Sequence, residues 1–172
     1  MRRLLLLRHA KTEHDAPSGR DRDRALDERG RLQARQMALH IGAKKLIPDA
    51  ALLSPALRVQ QTWAIASSEW PPCPAQTIEH LYGAEMTDLL KAVRGAPDAA
   101  SRLLLVGHNP GLHEAALAFT ADGAEAARRA LGDNFPTAAL AVIDFDVAEW
   151  ADVAFRAGRL DQFVTPKMLD AA

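Results

Sequence analysis

Arg8 and His9 stand together directly after four consecutive leucines, Leu4 to Leu7. The design returns later in the chain, where Leu103-Leu104-Leu105-Val106 runs into Gly107-His108-Asn109-Pro110-Gly111. A third apolar run, Ala50 to Leu53, is followed by Ser54-Pro55 and then by Arg58. Guanidiniums, imidazoles and nearby helix N-termini suit a doubly charged oxyanion such as phosphate. Binding alone needs no pair of imidazoles. A neutral histidine with a free ring lone pair can attack phosphorus, forming a covalent phosphohistidine that splits one hard displacement into two easier ones. His9 is the better candidate for the attack because it follows Arg8 directly. His108 and the arginines can then stabilise the transferring phosphoryl group by hydrogen bonds and charge. So much fixed positive charge leaves little need for a metal, and no cofactor is expected.

Certain elements must position these groups. Apolar runs without polar alternation suit strands buried on both faces, as at the centre of a parallel sheet. In open α/β sheets ligands bind beyond the carboxyl ends of the strands, so Arg8, His9, Arg58 and His108 are expected at one edge. Ser54 with Pro55 predicts a capped helix that carries Arg58 in its first turns, and Asn109 with Pro110 predicts another, reaching about Phe119. Asp27 caps a helix from about Glu28 to Leu46, with Leu32, Leu39, Ala43 and Leu46 near one face. His40, within it, reads as an ordinary helix residue. His14 to Leu26 is a polar loop whose alternating charges, Arg20 to Arg24, mostly pair with each other.

Further on, Gln76 to Glu79 reads as a weak edge strand. Glu85 and Asp88 open a helix that ends near Gly95, where acidic groups complement the dipole. Asp122 caps an Ala-rich helix to Leu131. Ala138 to Phe145 is an apolar strand, and the short connection after it predicts an antiparallel hairpin with Trp150 to Phe155. From Gly158 onward no clear pattern appears, and only Leu160, Phe163 and Val164 are expected to pack back on the body.

The 172 residues suit one domain, and 48% hydrophobic with 25% charged residues is the make-up of an ordinary globular protein. A net charge of -1 gives no reason to expect nucleic acid or an anionic membrane as partner. Arg8 stops the first leucine run far short of a signal-peptide core, no segment is long enough to span a bilayer, and a cytoplasmic location is expected. The single cysteine, Cys73, excludes an intramolecular disulfide and a multi-cysteine zinc site. His9, His14, His108 and His113 lack HExxH spacing, and no GxxxxGK[ST], GxGxxG or GxSxG motif is present.

Leu7-Arg8-His9-Ala10-Lys11 resembles the RHG or RHA signature of the histidine phosphatase superfamily. Ser54-Pro55-Ala56-Leu57-Arg58-Val59-Gln60-Gln61-Thr62 resembles its second motif, S-P-x-x-R-x-x-x-T, and Val106-Gly107-His108-Asn109-Pro110 its third. Asp21-x-x-Arg24-x-Leu26 and Phe135-Pro136-Thr137 look like the SixA-type phosphohistidine phosphatase branch. By motif position the resemblance implies His9 as nucleophile, Arg8, Arg58 and His108 as the phosphate pocket, and Arg24 as an additional phosphate contact. It implies a phosphoglycerate mutase-like fold over residues 1–172: a three-layer α/β/α sandwich, mostly parallel, with an antiparallel edge strand.

Many relatives that cleave phosphate esters carry a carboxylic acid between the second and third motifs. Here only Glu85, or Asp88, is available for that role. A phosphoramidate needs less help, because its imidazole can be protonated before it leaves. The expected activity is therefore a metal-independent phosphatase acting on phosphohistidine in a partner protein, in signal transduction. The alternatives are a phosphate monoesterase of the same fold, taking a small phosphate ester, and a phosphoprotein-binding module without turnover.

Overall fold

Leu4 to Leu7 have essentially no exposed surface, and their side chains alternate between two separate cores. In the computed structural model, which describes residues 1–171, these leucines lie in β1 (Arg2–Arg8). Leu4 and Leu6 face a core shared with α3 (Met86–Arg94), α4 (Gly111–Phe119) and α5 (Glu125–Asp133). Leu5 and Leu7 face the opposite core, against α1 (Glu28–Ala43) and α2 (Leu57–Ser67). Each buried leucine contributes about 1.5–3 kcal/mol of gross stabilisation. A strand covered on both sides is thus the middle layer of an α/β/α sandwich, the fold class expected.

The remaining strands are β2 (Ala50–Leu53), β3 (Ala75–Thr77), β4 (Arg102–Gly107), β5 (Thr120–Gly123), β6 (Leu140–Phe145) and β7 (Gly158–Val164). Their order in the sheet is β3-β2-β4-β1-β6-β7-β5. β1 to β4 run parallel, and so does the β5–β7 pair. Only β6 is antiparallel to its neighbours, and it lies inside the sheet between β1 and β7 rather than at the edge.

The hairpin partner of β6 also differs from expectation. It is β7, not Trp150 to Phe155. Trp150 is fully buried in a short 3-10 turn, where its indole N–H donates to the Ala100 carbonyl at 2.7 Å. Pairing between β6 and β7 shifts register between Val142 and Ile143, and this irregularity interrupts the alternation along β7. A break in period two hides a strand from pattern reading. A final helix, α6 (Pro166–Asp170), is capped by Thr165.

Asp27 caps α1 as expected, accepting from the Gly30 N–H at 2.7 Å. The buried face of α1 is Gly30, Ala34, Met37, Ala38 and Ile41, whereas Leu32 and Leu39 are exposed. Small residues face inward because the helix start presses on the backbone that follows His9. A Cβ on Gly30 would lie 2.0 Å from the Lys11 carbonyl oxygen. Asp122 sits in β5 and accepts from the Gly123 N–H at 2.7 Å, so it does not cap α5.

Gly30→Ala is therefore expected to lose about 1–3 kcal/mol by overpacking. Gly42→Ala, with nothing within 4 Å of its new Cβ, should gain about 0.5–1 kcal/mol in the same helix. Urea denaturation of the two variants checks both signs.

Candidate active site

Parallel pairing sets the geometry. Arg8 is opposite Gly107, and Leu53 is opposite Val106. The three strands therefore end side by side, with His9, His108 and Ser54 each one residue beyond. The ladder continues one step past β1, since the His9 N–H donates to the Gly107 carbonyl at 3.1 Å. The His9 and His108 rings come to 5.3 Å between centroids. Arg58 enters from the first turn of α2, with only 6% of its surface exposed.

His9 is also only 6% exposed. Its Nδ1 lies 2.8 Å from the Ala10 carbonyl oxygen. A carbonyl only accepts, so Nδ1 carries the ring proton and Nε2 keeps its lone pair. Burial pushes the imidazole down to about 3, the charges of His108, Arg58 and Arg8 push in the same direction, and the Ala10 bond opposes them. Burial and Arg58 likewise hold His108 down to about 4. Both rings are neutral at neutral pH, and neutrality is what a nitrogen nucleophile requires.

The expected cap at Ser54 is not formed. α2 begins at Leu57 after Ala56, and the Ser54 Oγ instead lies 2.6 Å from His108 Nε2. Asn109 is no cap either, since α4 begins at Gly111 and Asn109 Nδ2 donates to the Phe135 carbonyl at 2.8 Å. That same carbonyl accepts from Arg8 at 3.1 Å. Both side chains are spent on fixing the loop rather than starting a helix.

Asp21 is the counterweight to the cations. Its carbonyl and carboxylate accept from Arg58 at 2.8 and 3.1 Å, and its carboxylate accepts from Arg24 at 3.0 Å and from the Tyr82 hydroxyl at 2.7 Å. The Tyr82 hydrogen bond, with help from Arg58 and Arg24, brings the Asp21 carboxyl down to about 2. Tyr82 meets the His108 ring edge-on at 5.7 Å. Arg24 also reaches Thr12 Oγ1 at 2.9 Å, and its charge is felt at His108. Glu85, by contrast, is exposed at the N-cap of α3, its N–H donating to Asp88 at 2.9 Å.

Five buried side-chain atoms lack a protein hydrogen-bond partner among the described residues: Arg8 Nε, Arg58 Nε, His108 Nδ1, Asn109 Oδ1 and Gln33 Oε1. Four belong to this one site. Asn109 Oδ1 can only accept, but the two guanidinium Nε–H groups, and His108 Nδ1 when it carries the ring proton, are buried donors that match the oxygens of a phosphoryl group. Among the described residues no three His, Cys, Asp or Glu side chains gather as metal ligands.

The sequence profile of the histidine phosphatase superfamily (branch 1) matches residues 4–92. The chain belongs to that superfamily. An uncharacterized protein of Mycobacterium tuberculosis is 32% identical over 164 residues, 94% of this chain and all of the relative. Among solved structures, a SixA from Agrobacterium tumefaciens, provisionally described as a phosphohistidine phosphatase, is 31% identical. It covers 96% of this chain and 98% of its own, at a TM-score of 0.80. A SixA from Nakamurella multipartitia, described in the same provisional way, is 26% identical, covers 96% of each chain and reaches a TM-score of 0.84. This chain is thus a histidine phosphatase with a SixA-like fold.

Reasoning from the sequence expects Arg8, His9, Arg58 and His108 together, and the structure brings them together; Arg24, expected at the phosphate, bonds Asp21 and Thr12 instead, and Glu85, the candidate acid, is exposed at the start of α3. That reasoning missed Tyr82, the one tyrosine, which lies in a turn and acquires neighbours only through tertiary packing. The histidines lead to a pH prediction. Their folded values lie below the ordinary 6.5, so between about 6.5 and 3–4 the unfolded chain binds protons that the native site refuses. Native stability should fall as pH drops through that window and owe nothing to these groups above it. Thermal melts from pH 7 to 4 are expected to show a shallower loss for His9→Asn or His108→Asn than for the parent.

Proposed function

We propose that the protein is a phosphohistidine phosphatase, a single domain over residues 1–172, with His9 as its covalent nucleophile. The observation that carries this reading is the fixed Nδ1–H tautomer of His9, which leaves a free Nε2 lone pair among Arg8, Arg58 and His108. Nε2 attacks phosphorus while the bond from phosphorus to the substrate's ring nitrogen breaks. When the substrate's other ring nitrogen is protonated, its imidazole leaves neutral. Water then attacks phospho-His9, giving up a proton as inorganic phosphate departs and His9 returns to its neutral form. Arg8, Arg58 and His108 hold the phosphoryl oxygens through both steps, and Arg24 supports them through Asp21.

The carboxyl groups support this substrate class. An alkoxide leaving group needs a proton donor, and Asp21, held at about 2, is ionised at neutral pH and has no proton to give. Glu85 is exposed and tied into the start of α3. A phosphohistidine brings its own proton. The provisional description of the Agrobacterium tumefaciens SixA points to the same substrate. A histidine-phosphorylated partner protein is the substrate this reading favours, with a small phosphate ester as its rival.

The deciding experiment measures phosphate release from a phosphohistidine-bearing phosphotransfer protein, in EDTA, beside an alkyl phosphate monoester. Release from the phosphoprotein is expected to be the faster, to vanish in His9→Ala and to survive Glu85→Gln with little loss. A faster monoester reaction that Glu85→Gln cripples would transfer the assignment to a small-molecule phosphatase. No turnover of either, with tight phosphoprotein binding, would leave a binding module.

A further inference from the structure

Thr62 is fully buried in α2, one turn after Arg58. Its hydroxyl donates to the Arg58 carbonyl at 2.7 Å, the ordinary back-bond of a helical threonine. It also makes a second bond that a helix does not require: Oγ1 accepts the Ala10 N–H at 3.0 Å, across to the loop after β1. Ala10 is the residue whose carbonyl receives the His9 Nδ1–H. The next carbonyl, that of Lys11, accepts from the Asp27 N–H at 3.0 Å, and Gly30 presses on the same peptide. Ala10 is therefore held from both sides, and Thr62 supplies the hold nearest to His9.

We propose that Thr62 is a positioning residue that sets the tautomer of His9 by anchoring the Ala10 N–H, and with it the residue whose carbonyl faces Nδ1. The inference rests on His9 being the nucleophile. A neutral imidazole carries one proton, and in water the Nε2–H form is the more common. A ring protonated at Nε2 has no lone pair there and cannot attack phosphorus. The Ala10 carbonyl shifts that balance toward Nδ1–H only while it faces Nδ1. With the hydroxyl removed, the Ala10 N–H loses its buried acceptor and the carbonyl loses its fixed direction. The phosphate ligands Arg8, Arg58 and His108 stay in place, because none of their side chains bonds to Thr62.

The test combines kinetics with 15N NMR of histidine-labelled, full-length protein. In the parent, His9 is expected to show a protonated Nδ1 and a bare Nε2, a signature read without substrate. Thr62→Val should move the ring signals toward tautomer averaging. The same change should lower kcat on a phosphohistidine-bearing protein by about 10- to 100-fold, the scale of a misplaced catalytic group. KM, and the inhibition constant of inorganic phosphate, should stay within about twofold, since transition-state and ground-state contacts separate in this way. Thr62→Ser is expected to restore both the signature and the rate.

An Nε2–H signal in the parent overturns the proposal, as does Thr62→Val with an unchanged signature. Equal losses of kcat and phosphate affinity would instead make Thr62 a support for Arg58, and would overturn it too. Should the valine variant fail to fold, Thr62→Ala removes the same hydroxyl without adding a branch against the loop, and the parent spectrum decides by itself. If no variant and no parent turns over phosphohistidine, the substrate reading fails while the tautomer measurement still decides the role of Thr62.

Discussion

Leu4 to Leu7 are four identical side chains buried on both faces of the sheet, so they do not distinguish one register of β1 from the next. The ends of the strand do. At one end Arg2 donates to the Asp98 and Ala100 carbonyls at 2.7 and 2.8 Å, and Arg3 grips the Asp144 carboxylate at 2.6 and 2.8 Å. At the other, Arg8 and His9 accept together from the Ala138 N–H, each at 3.1 Å. A slip of one residue would drag an arginine into an apolar core or strand its partners. The pairing of Arg8 with Gly107, and with it the approach of His9 to His108, is held by charged termini around an indifferent middle.

The pocket that results is electrostatically expensive. Burial and the neighbouring Arg58 both work against charge on Arg8, and both push the two imidazoles toward neutrality. Asp21 relieves part of the repulsion by receiving Arg58 and Arg24 at once. It does so from a loop anchored elsewhere, since Arg22 pairs with Glu79 and Tyr82 donates to Asp21. One strap thus ties the segment after β1 to the segment before α3 across the pocket of Arg8, His9, Arg58 and His108. What remains unpaired among the described residues, the Nε atoms of Arg8 and Arg58 and Nδ1 of His108, is a stock of buried hydrogen-bonding groups that a phosphoryl group can satisfy.

Much of this was legible in the residues, and the losses have physical reasons. Arg8, His9, Arg58 and His108 each follow an apolar run, and a run without alternation marks a central strand. Ser54 and Asn109 misled because a short polar side chain before a proline caps a helix in isolation, whereas here a histidine and a carbonyl compete for it. β7 was lost to a register shift, and the inner face of α1 to the rule that leucine points inward. Gly30 and Ala34 occupy that face because the loop after His9 needs the space, which pattern reading along one helix cannot see.

The carboxyl groups bring these constraints together. In a site that holds two arginines beside two neutral imidazoles, Asp21 is the acid bonded to Arg58, and the contacts that make it useful to Arg58 also keep it ionised. The same residue cannot both steady Arg58 and lend a proton to a leaving group, because the first role lowers the proton affinity that the second demands. The leaving group must then depart without an acid from this quarter. Phosphohistidine meets that condition through its own ring proton, and the proposed substrate rests on this way of settling buried charge.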